Sequence, residues 1–269
     1  MSRLSISNLC LKNDEFFVEL EKLRDIGICG IEIAPTKIWE NLSKETLVKV
    51  KAFKGKLNDI GIQVSGIQSL LYGLPDVQIL QRSNWSQIYT KLNQMFEVAS
   101  VLDAKIAVFG SPKNRLRGQL HQEEADLIAS EFFNGAEPSL KSNGLRLALE
   151  PNAPQYGADY LTTYSEVNRL EKLIDSSFIG SQIDTGCLDM VGVNSATALE
   201  SHLPIHIHIS APNLASPLTS AIDYVEVSQS INSSEYHGWV VLEMLEQPTE
   251  SHHSVTDTAN WLKRTFDSE

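Results

Sequence analysis

A closed, eight-stranded parallel α/β barrel is the fold class this sequence predicts, on three observations. Eight short runs of β-branched and aliphatic residues punctuate the chain, and each is followed by a longer segment with helical apolar spacing or helix-forming composition. From Ile6 to Val241 the runs recur at about 34 residues, close to the minimum for a βαβ step. No Pro/Ser-rich linker or low-complexity tract divides the chain, so its 269 residues are expected to form one (β/α)8 TIM barrel, residues 1–269, with one core. An open doubly wound sheet normally carries a glycine-rich turn after its first strand, and Asn8-Leu9-Cys10-Leu11 is not one.

The strands are expected at Leu4 to Ser7, Gly30 to Ile33, Gln63 to Ile67, Lys105 to Phe109, Arg146 to Leu149, Ser181 to Ile183, Ile205 to Ile209 and Val240 to Leu242. Helix signals fall between them. Asn13-Asp14 are expected to cap a helix through about Leu23, and Ser43 to cap another through about Ile60, with Gly61 just beyond. Asn84 is placed to cap a helix whose Leu92, Met95, Phe96 and Ala99 form one apolar face.

Composition narrows the function. Lys and Arg total 22 against 34 Asp and Glu, a formal net charge of -12, which disfavours a nucleic-acid backbone as partner. No stretch reaches the roughly 18 apolar residues of a membrane span. The start, Met1 to Ser7, lacks a secretory h-region, and three cysteines without a C-x-x-C pair suit neither a disulfide scaffold nor a structural zinc site. A cytoplasmic protein is expected.

In a parallel barrel the chemistry gathers at the C-terminal ends of the strands. That filter selects Glu150 in Leu-Glu-Pro-Asn, Asp184 in Ile-Asp-Thr-Gly, His208 in His-Ile-His and Glu243 in Leu-Glu-Met. Three carboxylates meeting in one mouth repel one another unless a positive partner stands between them. One divalent cation held by all four residues satisfies this better than four separate helix caps or rim ion pairs. The mostly oxygen donor set suits Mn²⁺, Mg²⁺ or Co²⁺, with Zn²⁺ open through the imidazole. His206, two residues from His208, shares its direction along the strand, and spacing alone does not decide between them. It is read as a supporting group beside the substrate rather than a fifth ligand.

These segments resemble the xylose-isomerase-like barrels, in particular the sugar phosphate isomerase/epimerase group that includes ketose 3-epimerases, from the first strand to the last. The resemblance implies a metal-dependent isomerase or epimerase acting on a carbohydrate, neutral or phosphorylated, and a homodimer. It gives Glu150 and Glu243 the two proton-transfer roles on opposite sides of the sugar, through an enediolate. Dehydratase or lyase chemistry and a noncatalytic sugar-binding barrel are the alternatives; a metal-dependent abasic-site nuclease would need more histidines at the mouth, and His121, His202, His237, His252 and His253 fall in helices or loops. Two segments depart from the pattern. Cys187 stands where many relatives have the His of Asp-x-Gly-His, and Ser210-Ala211-Pro212-Asn213-Leu214 replaces an acid and an arginine found in ketose epimerases.

Other strand-end residues are assigned to the substrate. Glu32 and Gln68 end the second and third strands and are expected to hydrogen-bond sugar hydroxyls, with a rim salt bridge as the alternative for Glu32. Lys113 and Arg115 follow the fourth strand and are expected to bind a phosphate or carboxylate, against the alternative of a solvated rim loop. Trp39 and Tyr72 either stack on a sugar face or pack the lid. Cys187, in the turn after the sixth strand, is placed near the substrate as an ordinary small residue or a weak soft ligand.

Overall fold

The computed structural model describes residues 3–247 and 253–267. Eight strands, β1 (Arg3–Ser7), β2 (Gly30–Ile33), β3 (Gln63–Ile67), β4 (Ile106–Phe109), β5 (Arg146–Leu149), β6 (Ile179–Asp184), β7 (His206–Ile209) and β8 (Trp239–Leu242), pair in sequence order and close on themselves. All pairings are parallel, including β1 with β8. The helices are α1 (Phe16–Ile26), α2 (Pro35–Ile38), α3 (Lys44–Ile60), α4 (Trp85–Val101), α5 (Gln122–Asn143), α6 (Tyr164–Ile174), α7 (Thr185–Met190), α8 (Ser195–Ser201), α9 (Tyr224–Ser233) and α10 (Val255–Phe266). Among the described residues, no helix is long and apolar enough to cross a membrane.

Local sequence explains the outer layer. In α6 the buried Tyr164, Val167, Leu170 and Ile174 recur at helical spacing and form one apolar stripe. Ser43 caps α3 by accepting from the Thr46 amide, and Gly61 ends it at φ +84°, the left-handed conformation that costs glycine least. Leu92, Met95, Phe96 and Ala99 of α4 are buried, as their spacing predicts.

Several boundaries differ from the sequence reading. The side-chain amide of Asn13 donates to the Lys37 carbonyl, and α1 starts at Phe16 without a side-chain cap. Asn84 accepts from the Gln78 amide through its side chain, so it serves the preceding loop and not α4. β6 begins two residues before the expected Ser181, because Gly180 gives the room that Ile205 of the next segment needs: a Cβ there would lie 2.6 Å from its Cγ2. β4 and β7 each begin one residue later than expected.

Inside the barrel the filling is partly polar. Ser5 and Ser65, on strands that are not neighbours, meet across the lumen at 2.7 Å between hydroxyls. Above them, toward the C-terminal ends, the side chains become charged.

Candidate metal centre and mouth

The alternation of β7 points His206 and His208 to the same side, into the lumen, where both rings are fully buried and meet edge to face. Across the barrel, Glu32, one residue before the end of β2, has no solvent exposure. Its Oε2 lies 2.6 Å from His206 Nε2 and its Oε1 2.8 Å from His208 Nε2. An ionised carboxylate only accepts hydrogen bonds, so each ring carries its proton on Nε2. Burial alone would raise the Glu32 pKa, but the charges and hydrogen bonds of His208 and His206 outweigh it and hold the carboxyl at about 2.

This fixes the free face of His208. Its Nδ1 is buried, has no hydrogen-bond partner, and stands 3.3 Å from Glu150 Oε1, 3.2 Å from Glu243 Oε2 and 3.8 Å from Asp184 Oδ2. Asp184 is the last residue of β6, while Glu150 and Glu243 follow β5 and β8 directly and keep the ladder through amides that donate to Phe109 and Ile209. The donor atoms of the four residues lie within 4.8 Å of one another.

Each carboxylate is held from behind. Glu150 accepts from Gln182 at 2.8 Å and from Asn152 at 2.8 Å. Glu243 Oε1 accepts from Gln68 Nε2 at 2.7 Å, and Gln68 is itself fixed by the Ser7 hydroxyl. Asp184 Oδ1 accepts from the Cys187 amide and the Ser210 hydroxyl, so this residue both caps α7 and presents Oδ2 to the cluster. The helix-cap alternative and the shared cluster therefore coexist in one side chain.

The electrostatics demand a positive partner. Burial, then the charges of Glu150 and Glu243, push the Asp184 carboxyl up to about 7. Burial opposes a charged His208, yet Glu32 and Glu243 raise its pKa well above the ordinary imidazole value. Octahedral oxygen or nitrogen ligands at about 2.1 Å from an ion stand about 3 Å apart, close to the 3.2–3.3 Å separations around Nδ1. The orphaned nitrogen, the three aimed carboxylates and their spacing fit one divalent cation. The second cluster of possible ligands, Glu32 with His206 and His208, is already joined by hydrogen bonds.

A cavity of about 310 Å³ covers this cluster, lined by Gln68, Glu150, Asp184, Cys187 and Glu243, with Asn152, Tyr156 and Leu214 also in its walls. Of the residues assigned to the substrate, Gln68 and Cys187 line it. Burial and the neighbouring Asp184 raise the Cys187 thiol, which keeps it protonated. Glu32 and His206, expected at the substrate, are instead fully buried, bonded to each other and absent from the cavity's walls. Lys113 and Arg115 part company. Lys113 is exposed and lines a neighbouring cavity, whereas Arg115 is fully buried, donates from Nη1 to the Glu150 carbonyl at 2.7 Å, and has its pKa lowered to about 10 by burial. Arg115 therefore meets neither expectation: it is buried behind Glu150, lines neither cavity to bind a substrate anion, and does not stand in a solvated rim loop. Trp39 packs edge-on against Phe53 within the hydrophobic core, and Tyr72 stays 70% exposed.

Sequence reasoning missed Gln182, Ser7, Tyr156 and Ser210. Gln182 had a readable signal, since it lies two residues before Asp184 on the same face of β6. The remaining histidines stand off the strands: His121 and His202 flank helices, His237 lies in a loop and His253 precedes α10. His252 lies outside the described residues.

Comparison with known proteins agrees with this architecture. The family model described as xylose isomerase-like TIM barrel matches residues 20–265. No curated protein sequence matches. Among solved structures, the chain is similar to apo 3-keto-D-glucoside 4-epimerase YcjR from E. coli, at 16% identity and TM-score 0.81, covering 98% of this chain and 100% of that one. It is similar to D-psicose 3-epimerase crystallised in the presence of D-fructose, at 15% identity and TM-score 0.80, with 100% of both chains covered. A family 2 AP endonuclease from Brucella melitensis matches at 15% identity and TM-score 0.80, covering 98% of this chain and 99% of that one.

Proposed function

The chain belongs to the xylose isomerase-like TIM-barrel family, and from that premise we propose that it is a divalent-metal-dependent isomerase or epimerase of a sugar or sugar derivative. The observation that carries this reading is the buried, unpartnered Nδ1 of His208 facing one oxygen each of Glu150, Asp184 and Glu243. Several of its structural neighbours are sugar epimerases, which supports the reaction class.

Glu150, Asp184, His208 and Glu243 would hold the ion, with Mn²⁺, Mg²⁺ or Co²⁺ suited to three oxygens and one imidazole. When bound, it supplies electrophilic stabilisation of the negative charge that develops on substrate oxygens as a carbon-bound proton leaves toward an enediolate. The remaining work belongs to the protein. Glu150 and Glu243 come from strands on different sides of the mouth, so one carboxylate takes the proton and the other returns it. Gln182 and Asn152 keep Glu150 aimed, and Gln68 keeps Glu243 aimed, which limits the reorganisation each base needs. Glu32 fixes the tautomer and orientation of His208. Asp184 and His208 hold the site together without moving protons.

The test is metal analysis of the purified protein, followed by a screen of sugars and sugar phosphates for solvent-deuterium incorporation. Stoichiometric divalent metal and exchange at a carbon without added redox cofactor support the reading. Full metal occupancy in the Glu150→Gln/Asp184→Asn double variant overturns the ligand assignment, and loss of water in place of exchange moves the chemistry to a dehydratase.

A further inference from the structure

Beside the cavity over the acids lies a second one of about 460 Å³, between the turns that follow β3 and β4. The two share Ser69, Ser111 and Pro112 in their walls and therefore adjoin. The first holds the carboxylates. The second is lined by Leu71, Tyr72, Pro75 and Pro112, with Lys113 as its one charged side chain. We propose that the mouth takes a substrate longer than one sugar ring, a glycoside or disaccharide, with the reacting ring over Glu150 and Glu243 and the second unit against Tyr72 in the adjoining cavity. This rests on the sugar isomerase reading and names the substrate class for it.

Three features support the second subsite. Leu70 and Leu71 are buried at 0% and 2% exposure, so the loop is anchored, yet the next residue, Tyr72, turns its ring out at 70% exposure beside the cavity. An aromatic ring presents an apolar face with a polar tip, which suits the C–H face of a sugar or an aryl group with hydroxyls at its edge. The backbone of the shared wall is also unusual. Ser69 and Ser111 adopt φ +59° and +48° at the ends of β3 and β4, and Leu214, in the wall of the first cavity, adopts +54°. Left-handed conformations are uncommon outside glycine and concentrate where a binding surface dictates the turn. Finally, Tyr72 and Ser69 also line a third cavity of about 440 Å³. There the Lys37 ammonium is spent on the carbonyls of Asn8, Leu9 and Leu11 and Glu246 adds a negative charge, so an acidic substituent is accommodated only on the Lys113 side, which the Lys113→Trp variant probes.

The placement also reassigns the expected anion contact. Arg115 is buried behind Glu150, so an acidic substituent on the second unit meets Lys113 alone.

The experiment uses the Mn²⁺-loaded full chain and measures binding by saturation-transfer NMR and calorimetry. The probes are a panel of hexoses, their methyl glycosides, their phenyl glycosides and matching disaccharides. Phenyl glycosides or disaccharides are expected to bind at least about tenfold more tightly than the methyl glycoside of the same sugar, with a tenfold ratio corresponding to about 1.4 kcal/mol. Tyr72→Ala should lower their affinity to the methyl level. Lys113→Trp, which fills the cavity from its exposed side, should exclude them. Equal affinity for methyl and phenyl glycosides in the wild type, or an advantage that survives both variants, overturns the second subsite while leaving the sugar reading intact. If no probe of any length binds to protein shown to hold Mn²⁺, the sugar reading fails and the subsite falls with it.

Discussion

The two halves of the barrel mouth carry different work. The C-terminal ends of strands β5 to β8 carry Glu150, Asp184, His208 and Glu243, the four groups that face one another. The corresponding positions on β1 to β4 are Ser7 at the end of β1, Glu32 one residue before the end of β2, Gln68 just after β3 and Gly110 just after β4, and none of these belongs to the four-residue cluster. Ser7 fixes Gln68, Gln68 holds Glu243, Glu32 holds His208, and Gly110 leaves the space Glu150 occupies. The second half presents all four donors and itself aims Glu150 and Asp184 through Gln182, Asn152 and Ser210, while the first half aims Glu243 and His208. Donors aimed in advance pay less reorganisation on binding metal or substrate, which is why the holders matter although none belongs to the four-residue cluster.

The sharpest way to break this division is to exchange roles. Glu150→Gln and Glu243→Gln should each lower turnover of metal-loaded enzyme by about 10²–10⁴-fold, the usual worth of a positioned acid or base, while Glu32→Gln should mainly affect metal. Loss of the base should abolish solvent-deuterium exchange, and loss of its partner should leave exchange without net conversion. Near-normal turnover in loaded Glu243→Gln would make that carboxylate structural only.

Glu32→Gln comes next in size. The carboxylate accepts from two imidazoles through two oxygens, whereas an amide offers only one acceptor, so one ring loses its partner. Removing such an outer partner typically costs about 10–100-fold in metal affinity. Mn²⁺ titration of the variant should show that loss, and Glu32→Asp, which retains both acceptor oxygens, should recover part of it. Unchanged affinity in Glu32→Gln would show that the buried acid merely fills the lumen.

A smaller effect is expected at Gly110. A Cβ there would lie 2.3 Å from Glu150 Oε2, and the nearest atom belongs to a carboxylate already held by Gln182 and Asn152. Gly110→Ala should cost about 1–3 kcal/mol, the range for overpacking, read as a lower urea midpoint in chelator. Adding Mn²⁺ should recover less stability than in the wild type, because Glu150 is displaced.

The same asymmetry explains what the sequence made legible. The strands were readable because each is a short apolar run, and the second-half donors were readable because residue type and strand-end position together mark them. The holders carry no such mark. Glu32 and His208 are 176 residues apart, and Gln68 and Glu243 are 175 apart, so their meaning exists only once the barrel closes. Glu32 was read as a substrate contact because a strand-end acid normally faces solvent, and here closure buries it. Arg115 reads as an anion contact for the same reason, since nothing local announces that the turn after β4 folds its guanidinium behind Glu150.

A final test leaves the mouth altogether and sets its predicted insensitivity against a polar network on the outer wall. Asp126 of α5 accepts from Tyr160 at 2.8 Å, from Gln122 at 3.0 Å and from Arg169 Nε of α6 at 2.7 Å, tying two adjacent helices together. Burial would raise its pKa, but the hydrogen bonds from Arg169, Tyr160 and Gln122 lower it below the ordinary value. A carboxyl with a depressed folded-state pKa stabilises the fold above its unfolded pKa of about 3.9, and that contribution disappears as the pH falls through the lower folded value. Asp126→Asn removes the charge and should cost about 1 kcal/mol at neutral pH, since the Arg169 side chain is 45% exposed and partly screened. The difference from wild type in urea unfolding should stay constant from pH 7 to about 5 and shrink below about 4. Mn²⁺ affinity should not change. A variant that loses metal along with stability would mean that the outer helices and the mouth share one energetic unit, and the division of labour would then extend beyond the strand ends.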